Sequence, residues 1–140
     1  MSTEFLQSKI PHRPPMLLVD SVVRQDDRSI VCSKTFRAEE YFFQGHYPDF
    51  PLVPGVILCE CAMQAGAILL SGFLDTGSIP VATRLSDVKF KRMVRPGETI
   101  RMEVQLNERL ADAFYLRGKI LCDGELAARL DFACTLAKLA

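Results

Sequence analysis

A long, predominantly apolar run, Gly55 to Leu74, sets the terms on which this chain can fold. At 1.5 Å rise per residue, a helix of about twenty residues reaches roughly 30 Å, the diameter of a small domain. The run is apolar on nearly every side, so a helix here must be enclosed rather than laid on a surface. Pro54 suits the first helical position, where its missing N–H costs nothing, and Asp75-Thr76-Gly77-Ser78 supplies the stop. The same run is long enough to cross a bilayer. It holds Glu60, Gln64 and Ser71, however, and a carboxylate in mid-bilayer costs several kcal/mol. The expectation is a helix buried in protein, with no membrane partner.

The rest of the chain supplies the enclosure. Met16 to Arg24 and Ser29 to Phe36 are β-rich runs, with Gln25-Asp26-Asp27-Arg28 between them as a hairpin turn. Ala38 to Val53 reads as loop, punctuated by Gly45, Pro48 and Pro51. Four strands follow the helix. Val81 to Val94 is the first. Thr99 to Leu110 alternates Ile100, Met102, Val104 and Leu106; Phe114 to Cys122 alternates Phe114, Leu116, Gly118 and Ile120; Leu126 to Leu136 alternates through Ala128, Leu130, Phe132 and Cys134. Asp123-Gly124 is a two-residue hairpin signal. One apolar helix and one antiparallel sheet have one packing solution, in which the sheet curls around the helix. This predicts an α+β fold and a single domain over 1–140, without repeats. Ser8 to Pro15, with three prolines, reads as an N-terminal arm.

Formal net charge is zero, which argues against nucleic acid as a partner, since phosphate binding is driven by clustered positive charge. The five cysteines, Cys32, Cys59, Cys61, Cys122 and Cys134, contain no Cys-x-x-Cys pair and read as reduced, buried small hydrophobes. With an N-terminus lacking the basic-then-apolar order of a secretion signal, they indicate a reducing cytoplasm.

The polar residues of the helix are not scattered. Glu60, Gln64 and Ser71 fall within roughly 40° of one another at about 100° per residue. For Gln64 and Ser71 the plain reading is a stripe facing solvent or a second subunit. Glu60 is different: it has cysteines on both sides, no basic residue at i±3 or i±4, and no other acid on the helix. It lies nearly two turns from the helix start, where the dipole has faded, so burial is expected to favour its protonated form. A carboxyl kept protonated near neutral pH is a usable general acid. His12, in the proline-rich arm, reads as structural. His46 sits on the loop between Gly45 and Tyr47, where an imidazole is placed to exchange protons near pH 7. The N–H groups of Gly55 and Val56 have no partner within the helix. A carbonyl oxygen brought to them would be polarised as charge builds on it, and glycine permits the approach. Residues 46–54 carry three prolines. Extended at about 3.1 Å per residue, eight steps span roughly 25 Å. Such a loop takes His46 away from its own Glu60, so the pair is expected to be completed by a second copy of the chain.

Tyr41-Phe42-Phe43-Gln44-Gly45-His46-Tyr47-Pro48, followed by Pro54-Gly55-Val56, Glu60 and Gln64, resembles the signature of the 3-hydroxyacyl-[acyl-carrier-protein] dehydratases of FabZ type. Pro11 to Asp20 resembles that family's N-terminal segment, and Val88 to Arg92 with Arg95 to Glu98 resembles its strand after the helix. The resemblance implies a hot-dog fold, a homodimer or a trimer of dimers, and no metal or diffusible cofactor, with the substrate carried on phosphopantetheine. Its partners would be an acyl carrier protein or a coenzyme A thioester. It implies that His46 and Glu60 are the catalytic pair, that Gly55 is the backbone donor to the thioester carbonyl, and that Gln64 supports Glu60. Phe90, Lys91 and Arg92 fall with Val56 among substrate-binding positions. Departures at Arg84-Leu85, Met93 and Asp49-Phe50 fall where the acyl tunnel or its rim is expected, and bear on chain length.

The reaction so implied is reversible dehydration of a 3-hydroxyacyl thioester to the trans-2-enoyl thioester, in fatty-acid or related biosynthesis. Polarisation at Gly55 acidifies C2, His46 takes the proton, and Glu60 protonates the departing hydroxide. Apolar residues of helix and sheet are expected to line a channel for the acyl chain. Arg84, Lys89, Lys91, Arg92 and Arg95 form a basic cluster suited to an acidic carrier. Two alternatives share the fold: an acyl thioesterase, in which a carboxylate activates water, and a non-catalytic acyl-binding subunit of a synthase.

Overall fold

Alternation in the second half of the chain builds the concave surface that encloses the helix. The computed structural model describes residues 3–47, 49–75 and 77–138; Pro48 of the loop and Thr76 of the helix-ending turn lie outside the described residues. The elements in chain order are helix α1 (Thr3–Lys9), strands β1 (Ser21–Gln25) and β2 (Ser29–Thr35), a 3-10 turn (Tyr41–Phe43), helix α2 (Gly55–Leu70) with a 3-10 extension (Ser71–Phe73), and strands β3 (Ser78–Phe90), β4 (Thr99–Leu110), β5 (Ala113–Cys122) and β6 (Glu125–Lys138). The six strands form one sheet in the order β1-β2-β4-β5-β6-β3, and every neighbouring pair is antiparallel.

Register explains why the sheet has one greasy face. β4 and β5 pair Ile100 with Cys122, Met102 with Ile120, Val104 with Gly118 and Leu106 with Leu116, and all seven of these apolar side chains are buried. Full burial of a side chain of this size contributes about 1.5–3 kcal/mol. The helix lies close on this face. A methyl group added at Gly118 would meet Ala62 at 3.1 Å, and one added at Gly66 would meet the Phe132 ring at 2.7 Å. Small residues at these two positions set the distance between helix and sheet. Asp123 and Gly124 both take positive φ, 52° and 77°, as a two-residue hairpin that follows sheet twist requires.

The expected elements are present, with shifted ends. The chain over 14–20 is not strand: after Pro14 and Pro15, Met16 N–H and Leu17 N–H donate to Arg13 O, and β1 begins only at Ser21. A seven-residue helix, α1, precedes the arm and takes in its first two residues; its Leu6 is buried. Pro54 precedes α2 as its cap residue rather than occupying its first turn. β3 starts before Val81 and ends at Phe90, because Lys91 N–H and Arg92 N–H turn to Ala127 O. Pro80 is tolerated in β3 because β3 is the edge of the sheet.

Helix α2 with its extension is long and apolar enough to cross a membrane by length and composition, and most of it is packed inside the protein. All five cysteines are free and buried, as expected; desolvation pushes the Cys32 thiol up to about 12.

Candidate active site

The site residues expected from sequence fall into two groups along α2. The first is built on Gln64, which is 1% exposed. Its Oε1 accepts from Leu18 N–H at 2.8 Å, and its Nε2 donates to Met16 O at 2.7 Å and to Glu60 Oε2 at 2.9 Å. The two backbone groups fix the orientation of the amide, so its N–H side must face the carboxylate. Gln64 therefore does not face solvent, contrary to the stripe reading; it joins the arm, the helix and the acid. Ser71 closes the helix by donating to Ile68 O at 2.6 Å and takes no part in the site.

Glu60 is not enclosed to the extent expected. Its side chain keeps 26% of its surface in the single protomer. Its second neighbour is His12, whose Nε2 lies 3.6 Å from Glu60 Oε2. The arm histidine read as structural thus stands beside the acid. Nothing in the spacing of residues 12 and 60 signals this contact; it arises from the fold of the arm.

The second group surrounds the start of α2. Lys34 Nζ donates to Glu40 Oε1 at 2.8 Å and Glu40 Oε2 accepts from Arg37 N–H at 2.9 Å, which fixes the root of the loop. Phe42 and Phe43 are buried beyond it, and Val53 N–H donates to Val94 O at 2.7 Å at the far end. Between these anchors the loop doubles back: Phe50 N–H donates to Tyr47 O at 2.8 Å, and His46 Nδ1 lies 3.0 Å from Leu52 O. The straight 46–54 span expected from its prolines is therefore not formed; the described turn bends it. A carbonyl only accepts, so Nδ1 carries the hydrogen and Nε2 is left with its lone pair, the form a general base needs.

His46, Gly55, Leu58, Phe90, Lys91 and Arg92 line one cavity of about 640 Å³. Pro54 offers no side-chain cap to the helix, and the first N–H to return to it is Ile57, which bonds Pro54 O at 2.9 Å. The earlier donors, on Gly55 and Val56, stay available to a ligand. The Phe90 ring lies against Gly55: a Cβ there would meet it at 2.7 Å. Val56 is 74% exposed. Glu60 is not among the residues lining this cavity.

The basic cluster does not hold together as one patch. The Arg92 guanidinium lies 2.9 Å from Glu98, 3.3 Å from Asp123 and 3.5 Å from Glu125. Glu98, Cys122 and Asp123 bring potential metal-ligand atoms within 4.8 Å of one another, but the guanidinium already supplies the positive charge there. The Arg92 hydrogen bond holds the Glu98 carboxyl below its ordinary range. Arg95 stacks on the Phe50 ring at 4.6 Å, and Arg84 lines a different hollow with Tyr115 and Phe132. Lys89 and Lys91 remain as exposed lysines near the cavity.

Comparison with known proteins gives the family and the fold. The model of the ApeI-like family, described as ApeI dehydratase, matches residues 22–125. A 3-hydroxyacyl-[acyl-carrier-protein] dehydratase FabZ from Clostridium perfringens is 38% identical over 133 residues, covering 90% of this chain and 96% of its own. The FabZ of Petrotoga mobilis is 32% identical and covers 99% of both. Among solved structures, the dehydratase heterocomplex ApeI:P from Xenorhabdus doucetiae superposes with a TM-score of 0.79 at 16% identity, over 95% of this chain and 91% of that one. At that identity the likeness is one of fold.

Proposed function

The chain belongs to the 3-hydroxyacyl-[acyl-carrier-protein] dehydratase family, of hot-dog fold, and from that premise we propose how its residues divide the reaction. It is a hydro-lyase that interconverts 3-hydroxyacyl and trans-2-enoyl thioesters on an acyl carrier protein in fatty-acid biosynthesis. The thioester carbonyl sits at the start of α2 and accepts from Gly55 N–H, with Val56 N–H beside it. Charge moving onto that oxygen is stabilised there, which acidifies the C2 proton. His46 Nε2 takes the proton, since its Nδ1–H is held by Leu52 O. The electron pair forms the C2–C3 double bond, and the hydroxyl leaves with a proton from Glu60 as water.

The observation that carries this reading is the shared cavity. His46, whose Nδ1 is engaged by Leu52 O, and an uncapped helix N-terminus line the same cavity. Phe90 and the stem of Lys91 bound it, where a pantetheine arm would enter. Glu60, with Gln64, stands outside that cavity in the same protomer, which supports an acid delivered by a second copy. No metal or diffusible cofactor is needed for these proton transfers. Free, buried thiols fit a reducing cytoplasm.

The test is hydration of enoyl thioesters on carrier protein and on coenzyme A, across chain lengths. Loss of the general base costs about 10²- to 10⁴-fold, so His46→Ala should lose at least a hundredfold in kcat. Turnover in the His46→Ala protein at the parent rate would refute the assignment. Release of free thiol in the same assay would point instead to thioester hydrolysis.

A further inference from the structure

The arm brings His12 to the carboxylate by two independent fixings. On one side Ile10 is buried and its N–H donates to Leu6 O at 3.1 Å, continuing α1. The Arg13 guanidinium then clasps the backbone, donating to Ile10 O at 2.9 Å, His12 O at 2.8 Å and Gln7 O at 3.1 Å. On the other side Gln64 pins Met16 O and Leu18 N–H. His12 is caught between these anchors. Its Nδ1 is buried without a hydrogen-bond partner, while its Nε2 faces Glu60 Oε2 at 3.6 Å.

That asymmetry selects a tautomer. A hydrogen on Nδ1 would be a buried donor with no acceptor, which costs free energy. The hydrogen therefore belongs on Nε2, directed at the carboxylate. At 3.6 Å the contact is electrostatic rather than a hydrogen bond. Gln64 Nε2 already donates to the same oxygen at 2.9 Å. Two donors thus address Oε2 and none of the described hydrogen bonds addresses Oε1.

We propose that His12 is a positioning residue for Glu60, holding Oε2 together with Gln64 so that Oε1 bears the proton given to the departing hydroxyl. This rests on the reading of Glu60 as the acid. When the C3–O bond breaks, its electron pair goes to oxygen, the Oε1 proton completes water, and Glu60 is left as a carboxylate. Nε2–H of His12 then faces a full negative charge, and a donor is drawn more strongly to a charge than to a neutral group. The contact is worth most after proton transfer, so it lowers the barrier without tightening substrate binding.

The experiment compares His12→Phe, which keeps bulk and removes the donor, with His12→Gln, whose amide N–H reaches about as far as Nε2. In dehydration of a 3-hydroxyacyl thioester, the direction in which Glu60 gives up its proton, His12→Phe should lower kcat about tenfold to a hundredfold with KM within twofold of the parent. His12→Gln should recover most of that loss. Equal losses in the two variants, a change in KM alone, or no change in His12→Phe would overturn the proposal. If His12→Phe does not fold, His12→Asn replaces it, since its amide is one bond too short. Glu60→Gln is measured alongside. If it is inactive while His12→Phe turns over at the parent rate, only the role of His12 fails; if it keeps parent activity, the assignment of the acid fails as well.

Discussion

At the scale of the residue, the site turns on Gln64, a buried amide that satisfies three groups at once. Replacing it with leucine keeps the volume and strands Met16 O, Leu18 N–H and the Glu60 carboxylate. Leaving buried polar groups unpaired costs about 1–3 kcal/mol each where no water reaches them. We expect Gln64→Leu to lose about 2–4 kcal/mol in urea unfolding and to lower kcat as Glu60 loses its support. An unchanged midpoint would mean that the arm holds without the amide. Glu60, His46 and Gly55 stand out in the sequence because each is chemically unusual for its place: an acid in an apolar run, an imidazole on a proline-rich loop, a glycine where a helix opens. His12 does not, because its partner is 48 positions away and the route between them is a fold of the arm that no periodicity encodes.

At the scale of the element, α2 is held by distance. Gly66 and Gly118 let helix and sheet approach until backbone and ring are in contact. Alanine at 66 would gain about 1 kcal/mol of helix propensity but must push the buried Phe132 ring, and overpacking costs about 1–3 kcal/mol. We expect Gly66→Ala to be destabilised overall by about 1 kcal/mol, read as a lower melting temperature; a rise would show that the ring has room to move. Strands β4 and β5 are readable because one face is wet and the other dry, so period two is written into them; β6 keeps the same alternation although it is covered on both faces along much of its length. The start of β1 is not readable: Leu18 is buried in the core and Leu17 packs against it although neither lies in a strand, and Met16 O and Leu18 N–H bond Gln64 instead of a neighbouring strand. The run of α2 carries little helical period because most of it beyond the first turn is covered, and its type is legible only from length and from Pro54-Gly55.

At the scale of the whole molecule, the two half-sites predict an assembly. If acid and base come from different copies, mixing inactive His46→Ala and Glu60→Gln proteins restores activity, to about one active site in four at equal ratio if exchange is random. Proven subunit exchange without recovery would exclude shared sites. Acid sensitivity is set on the surface. The Arg92 hydrogen bond lowers Glu98 and the Arg117 hydrogen bond lowers Asp131. Both carboxyls bind protons more weakly folded than unfolded, so their contribution is complete above the ordinary carboxylate range and is lost as pH falls through the lowered values. A Glu98→Gln/Asp131→Asn protein should show a shallower fall of stability between about pH 5 and pH 2; an identical acid limb would discount both pairs. The sheet order has a consequence for synthesis. β3 pairs only with β6, so while a ribosome is still making the middle of the chain, the strand that follows α2 has nothing to zip onto. The oily rod emerges long before its last cover does, and during that interval a chaperone or simple delay, rather than native structure, must keep the nascent protein from clumping.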